Sequence, residues 1–211
     1  MQAFENKAHD IEWAGHYEQG GSKNNVSFKD MKLGTDGTIT GSGSDPVGSF
    51  TINGKLNGNN IEFNKAYAGA HTVKYSGTLN NGVIGGNWSL QGMTGKFEIK
   101  MKTKQWKGHY TLNGQKFDML VSLNISDGQG QDHFVSGIGG DANGNYGVQG
   151  IVPRAAKHNT IVFNKVYYNN PSAEVHYAGI ILGQGTSQTI KGVWTLPSGN
   201  MHGEFELAKQ I

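Results

Sequence analysis

The chain has 211 residues, a formal charge of +2, 33 glycines, 4 prolines and no cysteine. That length suits two domains of about 100 residues or one large β domain, and either can bury its own core. Lys and Asp/Glu are interleaved, with no basic tract for phosphate binding, which argues against nucleic acid; the dispersed glycines exclude a collagen repeat or a flexible linker.

Residues 1–11, MQAFENKAHDI, read as an N-terminal extension: they carry acids and no apolar run of signal-peptide length. No later stretch approaches the roughly 18 apolar residues of a membrane helix. A chain without membrane insertion, retained inside the cell and cytoplasmic, is the expectation, and the absence of cysteine agrees with a reducing compartment.

From Glu12 onward the apolar period is 2, the mark of half-buried strands, and no sustained 3.6-residue repeat occurs. Seven turn signals then divide the chain: Gly20-Gly21, Asp36-Gly37, Asp45-Pro46, Asn57-Gly58, Gly69-Ala70, Asn81-Gly82 and Gly92. Seven breaks leave eight strands up to residue 102. The first holds WAGHY, the third ITGSGSD, the fifth IEFNKAYA, the sixth VKYSG, the seventh IGGNWSL and the eighth GKFEI.

The rest of the chain repeats these segments in the same order. WKGHY at Trp106, GIGGDANGNYGVQG at Gly137, IVFNKVYY at Ile161, VHYAG at Val175, IKGVWTL at Ile190 and GEFEL at Gly203 match their counterparts, and all four tryptophans fall at two matched positions. The second copy breaks at Asn113-Gly114, Asp127-Gly128, Asn143-Gly144, Asn169-Asn170-Pro171 and Ser198-Gly199, with a longer connection at VPRAAKHNT. An internal duplication follows, with repeats at 12–102 and 103–211.

Strands joined by hairpins pair antiparallel, because a parallel pair needs a crossover of about a dozen residues. An eight-stranded meander can close and remove its edges, and the side-chain-free positions of ITGSGSD permit the coiling that closure needs. The fold class expected is all-β: two tandem antiparallel eight-stranded up-and-down barrels. Paired sandwiches and one sixteen-stranded barrel share the same pattern. Each copy resembles, in pattern, the calycin-type barrels of the lipocalin, fatty-acid-binding and avidin group, through a Trp-plus-Gly first strand and eight meandering strands, and the first copy is locally similar to avidin in GHYEQGGS followed by DGTITG and a late NWSL strand. The resemblance implies a binder of small apolar molecules or an interaction module. Biotin is not implied, since Gly41-Ser42-Gly43 stands where avidin places its biotin-contacting tyrosine.

Alternation puts Ile61, Phe63, Lys65 and Tyr67 on one face, and Ile161, Phe163, Lys165 and Tyr167 likewise. An inward lysine is costly unless paired. Asp45 and Asp141, at the inward ends of the glycine strands, are the acids placed on an apolar face in both copies, so the pairs expected are Asp45 with Lys65 and Asp141 with Lys165. One reading sets each pair at a wet rim, with lysine methylenes along the core and the ammonium in water; another makes it a polar anchor in a ligand cavity. Trp13, Tyr17, Tyr75 and Trp88, with Trp106, Tyr110, Tyr177 and Trp194, line the interior. They fill it as core, or line a pocket if Gly15, Gly41, Gly43, Gly77 and Gly86 keep a void. His16 and His109 point outward, and with His71 and His176 they form no converging ligand set, so neither metal nor cofactor is expected.

No nucleophile sits with a base in a spaced triad. The function expected is therefore a non-enzymatic intracellular binding or accessory protein, a subunit acting through protein–protein contacts. Carriage of a small apolar ligand inside the barrels is the second reading, and an isomerase or cyclase using the Asp/Lys pair the third.

Overall fold

A computed structural model of the chain describes residues 11–34, 36–126, 132–155 and 159–211. Eight strands form the first half: β1 (Ile11–Gln19), β2 (Ser22–Leu33), β3 (Thr38–Asp45), β4 (Gly48–Asn57), β5 (Asn60–Tyr67), β6 (Thr72–Asn80), β7 (Val83–Leu90) and β8 (Met93–Met101). Eight more follow: β9 (Gln105–Leu112), β10 (Gln115–Ile125), β11 (His133–Asp141), β12 (Gly144–Val152), β13 (Thr160–Tyr167), β14 (Asn170–Leu182), β15 (Thr189–Thr195) and β16 (His202–Lys209). Each strand pairs antiparallel with the next, β8 closes on β1, and β16 closes on β9. Two closed eight-stranded barrels result, the architecture expected; the sandwich and the sixteen-stranded barrel are both overruled. The compact units divide between Lys102 and Thr103.

Local chemistry explains the turns. Asn81-Gly82 and Asn113-Gly114 have positive φ at both residues (50° and 79°, 51° and 78°), the backbone of a two-residue hairpin whose twist matches its strands. The Asp127-Gly128 turn and Ala156, Lys157 and His158 of the long connection lie outside the described residues. In β14 the register jumps, with Tyr167 opposite Asn170 and Val166 opposite Glu174. Pro171, which has no N–H for a ladder, sits in that irregularity.

A second irregularity interrupts β2 and β3, which pair at Ser27–Phe28 and again at Lys32–Leu33. Across the gap the Asp30 carboxylate accepts hydrogen bonds from the Ser42 N–H (2.7 Å) and the Ser42 hydroxyl (2.6 Å), standing in for the missing backbone partner.

Rings fill both interiors in the same way. Phe63 stacks on Tyr75 at 4.8 Å, and Phe97 meets both edge-on at 6.0 and 4.9 Å. In the second barrel Phe163 stacks on Tyr177 at 4.8 Å, with Phe205 at 5.8 and 5.0 Å. The glycines that could have kept a void open do not, and the core reading of the rings holds at these positions. A Cβ on Gly15 would come within 1.9 Å of the Glu98 carbonyl oxygen, and one on Gly77 or Gly86 would strike the facing strand. A Cβ on Gly41 would strike Met31 backbone, and the space at Gly43 is taken by the Phe50 ring. These positions lack side chains so that backbones can approach and neighbouring rings can lie over them.

Candidate functional site

Asp45 ends β3 and Asp141 ends β11, where the chain turns into the next hairpin with the carboxylate facing inward. One carboxylate oxygen serves the turn. Asp45 Oδ1 accepts the Val47 and Gly48 N–H groups at 2.9 and 3.3 Å, and Asp141 Oδ1 accepts the Asn143 N–H at 2.9 Å. The other oxygen faces the interior. Lys65 Nζ and Tyr67 Oη both donate to Asp45 Oδ2, the tyrosine at 2.6 Å. In the second barrel Lys165 Nζ and Tyr167 Oη donate to Asp141 Oδ2 at 2.8 and 2.7 Å, and Lys165 Nζ also donates to Tyr167 Oη at 2.7 Å.

Four rings surround each ammonium. Around Lys65 stand Tyr17, Phe50, Tyr67 and Tyr75, with centroids 5.1, 4.3, 4.9 and 5.8 Å from Nζ. Around Lys165 stand the matched Tyr110, Tyr146, Tyr167 and Tyr177, at 5.0, 4.7, 4.6 and 5.6 Å. The side chains of Lys65 and Asp45 are 1% and 0% exposed, and those of Lys165 and Asp141 are 2% and 0%. The wet-rim reading is therefore wrong for both pairs. Each lysine lies two residues before its strand end, where the four rings and the aspartate of the adjoining hairpin close over its ammonium.

Electrostatics follow from enclosure. Burial lowers the Lys65 and Lys165 ammonium groups from their usual range, and the partner aspartate opposes that shift. Burial also pushes the Asp45 carboxyl up, but hydrogen bonds from Lys65 and Tyr67 outweigh it and hold the group below its ordinary value. Tyr67, Tyr75, Tyr167 and Tyr177 are raised, first by burial and then by neighbouring carboxylate and phenol groups.

All fourteen residues named from sequence lie in the interiors, but they do not form one constellation. Tyr17, Asp45, Lys65, Tyr67 and Tyr75 meet in the first barrel; Tyr110, Asp141, Lys165, Tyr167 and Tyr177 meet in the second. The late tryptophans are latches: Trp88 Nε1 donates to the Glu18 carbonyl at 2.9 Å, and Trp194 Nε1 to the Thr111 carbonyl at 3.0 Å. Trp13 and Trp106 are buried, and Trp13 Nε1 has no hydrogen-bond partner among the described residues. Phe50 and Tyr146, the fourth rings, were missed, although they are matched aromatics five residues after each aspartate. Asn143 was missed too; its amide donates to Tyr110 Oη at 3.2 Å and Tyr167 Oη at 3.4 Å. Among the described residues no three His, Asp or Glu side chains converge as metal ligands.

The outer faces of the two barrels differ. On β14 and β15, Ala178, Ile180, Leu182 and Val193 point outward, with Ala178 opposite Val193. Ile180, Leu182 and Val193 are 43%, 45% and 55% exposed. The matched positions of the first barrel are Ser76, Thr78, Asn80 and Asn87. That barrel instead bears an open groove of about 490 Å³ floored by Ser42, Ser44, Ser49, Thr51, Ala66 and Ala68 and bordered by Lys29. No helix among the described residues is long and apolar enough to cross a membrane.

No family model matches the chain, and no curated protein matches it. Among solved structures it is similar to a protein of unknown function from the DUF3598 family of Nostoc punctiforme, at 8% identity over all of both chains with a TM-score of 0.29. A likeness at that level carries no argument about fold or activity.

Proposed function

We propose that the chain is a non-enzymatic binding or accessory protein of the cell interior, built from two calycin-like barrels and acting through protein–protein contacts on the outside of the second barrel. The observation that carries this is the exposed row Ala178, Ile180, Leu182 and Val193. Three large apolar side chains exposed along one outer face, with Lys191 and Thr189 beside them on β15, form an apolar row with a polar edge, the composition of a protein-docking surface. The duplication supplies an internal control, because the same fold is built in the first barrel with Ser, Thr and two Asn at those positions. The rival readings fare less well. A carried ligand would need space where ring meets ring, and a turnover site would need substrate to reach a pair that is walled off from solvent.

The test is an exchange of the row. Ile180→Thr, Leu182→Asn and Val193→Asn together carry the first barrel's residues into the second at the three large apolar positions of the row. Affinity capture from native extract, with wild type and triple variant side by side, is expected to retain a defined partner on the former and release it on the latter. Identical sets of captured proteins would overturn the assignment of this face.

A further inference from the structure

The groups around Asp141 include the three that a condensation reaction uses: an amine, a proton carrier and a donor to the carbonyl oxygen. Lys165 Nζ is a primary amine in contact with Asp141 Oδ2 at 2.8 Å. Tyr167 Oη accepts from that amine at 2.7 Å and donates to the same Oδ2 at 2.7 Å, bridging nucleophile and leaving oxygen. Asp141 Oδ1 receives the Asn143 backbone N–H at 2.9 Å, which places a fixed donor where charge gathers on a carbonyl oxygen. Water is excluded, with the lysine and aspartate side chains 2% and 0% exposed, and the four tyrosine rings make the surroundings poorly polar. A buried ion pair there sets desolvation of two charges against their attraction, and a neutral link removes the two charges.

We propose that the second barrel cross-links itself through an isopeptide bond between Lys165 and Asp141. Proton transfer from Nζ to Oδ2 gives the neutral amine and the carboxylic acid. The amine lone pair attacks the Asp141 carboxyl carbon, the Nζ–Cγ bond forms, and the carbonyl electrons move onto Oδ1 against the Asn143 N–H. Tyr167 takes a proton from the nitrogen and delivers its own to Oδ2. The Cγ–Oδ2 bond breaks, one water leaves, and a secondary amide remains. Atoms and protons balance without oxidant, reductant or activating co-reactant. The bond joins β11 to β13 across β12, closing a covalent loop between strands that are not neighbours. Tyr167 acts on the bond-forming atoms directly, as the proton carrier.

The experiment is intact-protein mass spectrometry of the purified full chain, followed by fragment sequencing of its protease digest. The expected result is a mass lower than that of the sequence by one water for this link, a linked peptide joining Asp141 to Lys165, and no cleavage by trypsin after Lys165. Lys165→Arg and Asp141→Ala are expected to restore the missing water, and so is Tyr167→Phe, whose ring still fills its place. Digests in which Asp141 and Lys165 appear only on separate, unmodified peptides overturn the proposal. A water lost elsewhere, such as by cyclisation of a surface aspartate, is recognised by its fragments and also overturns it if the Lys165 peptide is unlinked. A linked wild type with an equally linked Tyr167→Phe variant overturns the proton-carrying role of the tyrosine.

Discussion

At the scale of single residues, the first barrel's Asp45 and Lys65 make opposite predictions for the two ways of breaking their pair. Asp45→Ala leaves a buried ammonium with no counter-charge and is expected to cost about 3–5 kcal/mol. Lys65→Met leaves a carboxylate that still holds two backbone N–H groups and the Tyr67 hydroxyl, and is expected to cost under about 2 kcal/mol. Urea melts of both variants check this; equal losses below about 1 kcal/mol would mean a hydrated pair. Stability should also depend on pH at both ends. Because Asp45 is held below 3.8 in the fold, the unfolded chain binds more protons between that lowered value and 3.8. Its contribution is complete above 3.8 and drains as pH falls through the folded value. Tyr67 and Tyr75 are raised above 10.0, so above that pH the unfolded chain sheds protons that the fold retains, and stability falls. Lys65, lowered below 10.5, works the other way: stability rises between its folded value and 10.5. Denaturation midpoints measured across pH, with Lys65→Met removing the last contribution, separate the three.

Among elements, β7 holds two adjacent glycines with unlike duties. Gly86 faces β6, where a Cβ would lie 2.1 Å from the Ser76 carbonyl oxygen, whereas a Cβ on Gly85 would meet nothing nearer than 3.8 Å. Neither has positive φ. Gly86→Ala is therefore expected to force strands apart and cost about 3 kcal/mol or more, and Gly85→Ala to be neutral or to stabilise by up to about 1 kcal/mol through the unfolded chain. Thermal melts of the two variants decide between this and a uniform strand-propensity effect. The β2–β3 gap gives a second case. Asp30→Ala removes the acceptor for both Ser42 donors and is expected to cost about 1–3 kcal/mol. Faster amide hydrogen exchange should accompany it, concentrated at Ser42.

For the molecule as a whole, each barrel closes on its own strands and carries its own aromatic core, so neither borrows a strand to hide an edge. Residues 103–211 expressed alone are expected to fold cooperatively, with a near-ultraviolet signal from Trp106 and Trp194; a fragment without fixed aromatic packing would refute that autonomy. The outward exchange at Ile180, Leu182 and Val193 belongs to this scale too. Surface positions away from the core shift stability by no more than about 0.5 kcal/mol, so a large effect on partner capture with an unchanged melt is the signature of a docking face.

Strand number, pairing direction and duplication could be read from the chain because each rests on short-range rules. Period-2 alternation fixes which residues face inward, hairpin dipeptides fix antiparallel neighbours, and a repeat in the same order fixes two copies. The Asp–Lys pairs were readable for the same reason, as charges on an inward face must find each other. Whether those pairs were wet or enclosed was not readable, because it depends on how far Tyr17 and Tyr110 reach across the barrel from β1 and β9, strands distant in sequence from the lysines they cover. The glycines left core and cavity both open for a related cause. A missing side chain marks space in the sequence, but only the packed backbone decides whether a cavity, a ring or a facing strand occupies it. Closure against sandwich was likewise decided in three dimensions, by whether β1 met β8 and β9 met β16. Alternation constrains the faces of a sheet and is silent about its ends.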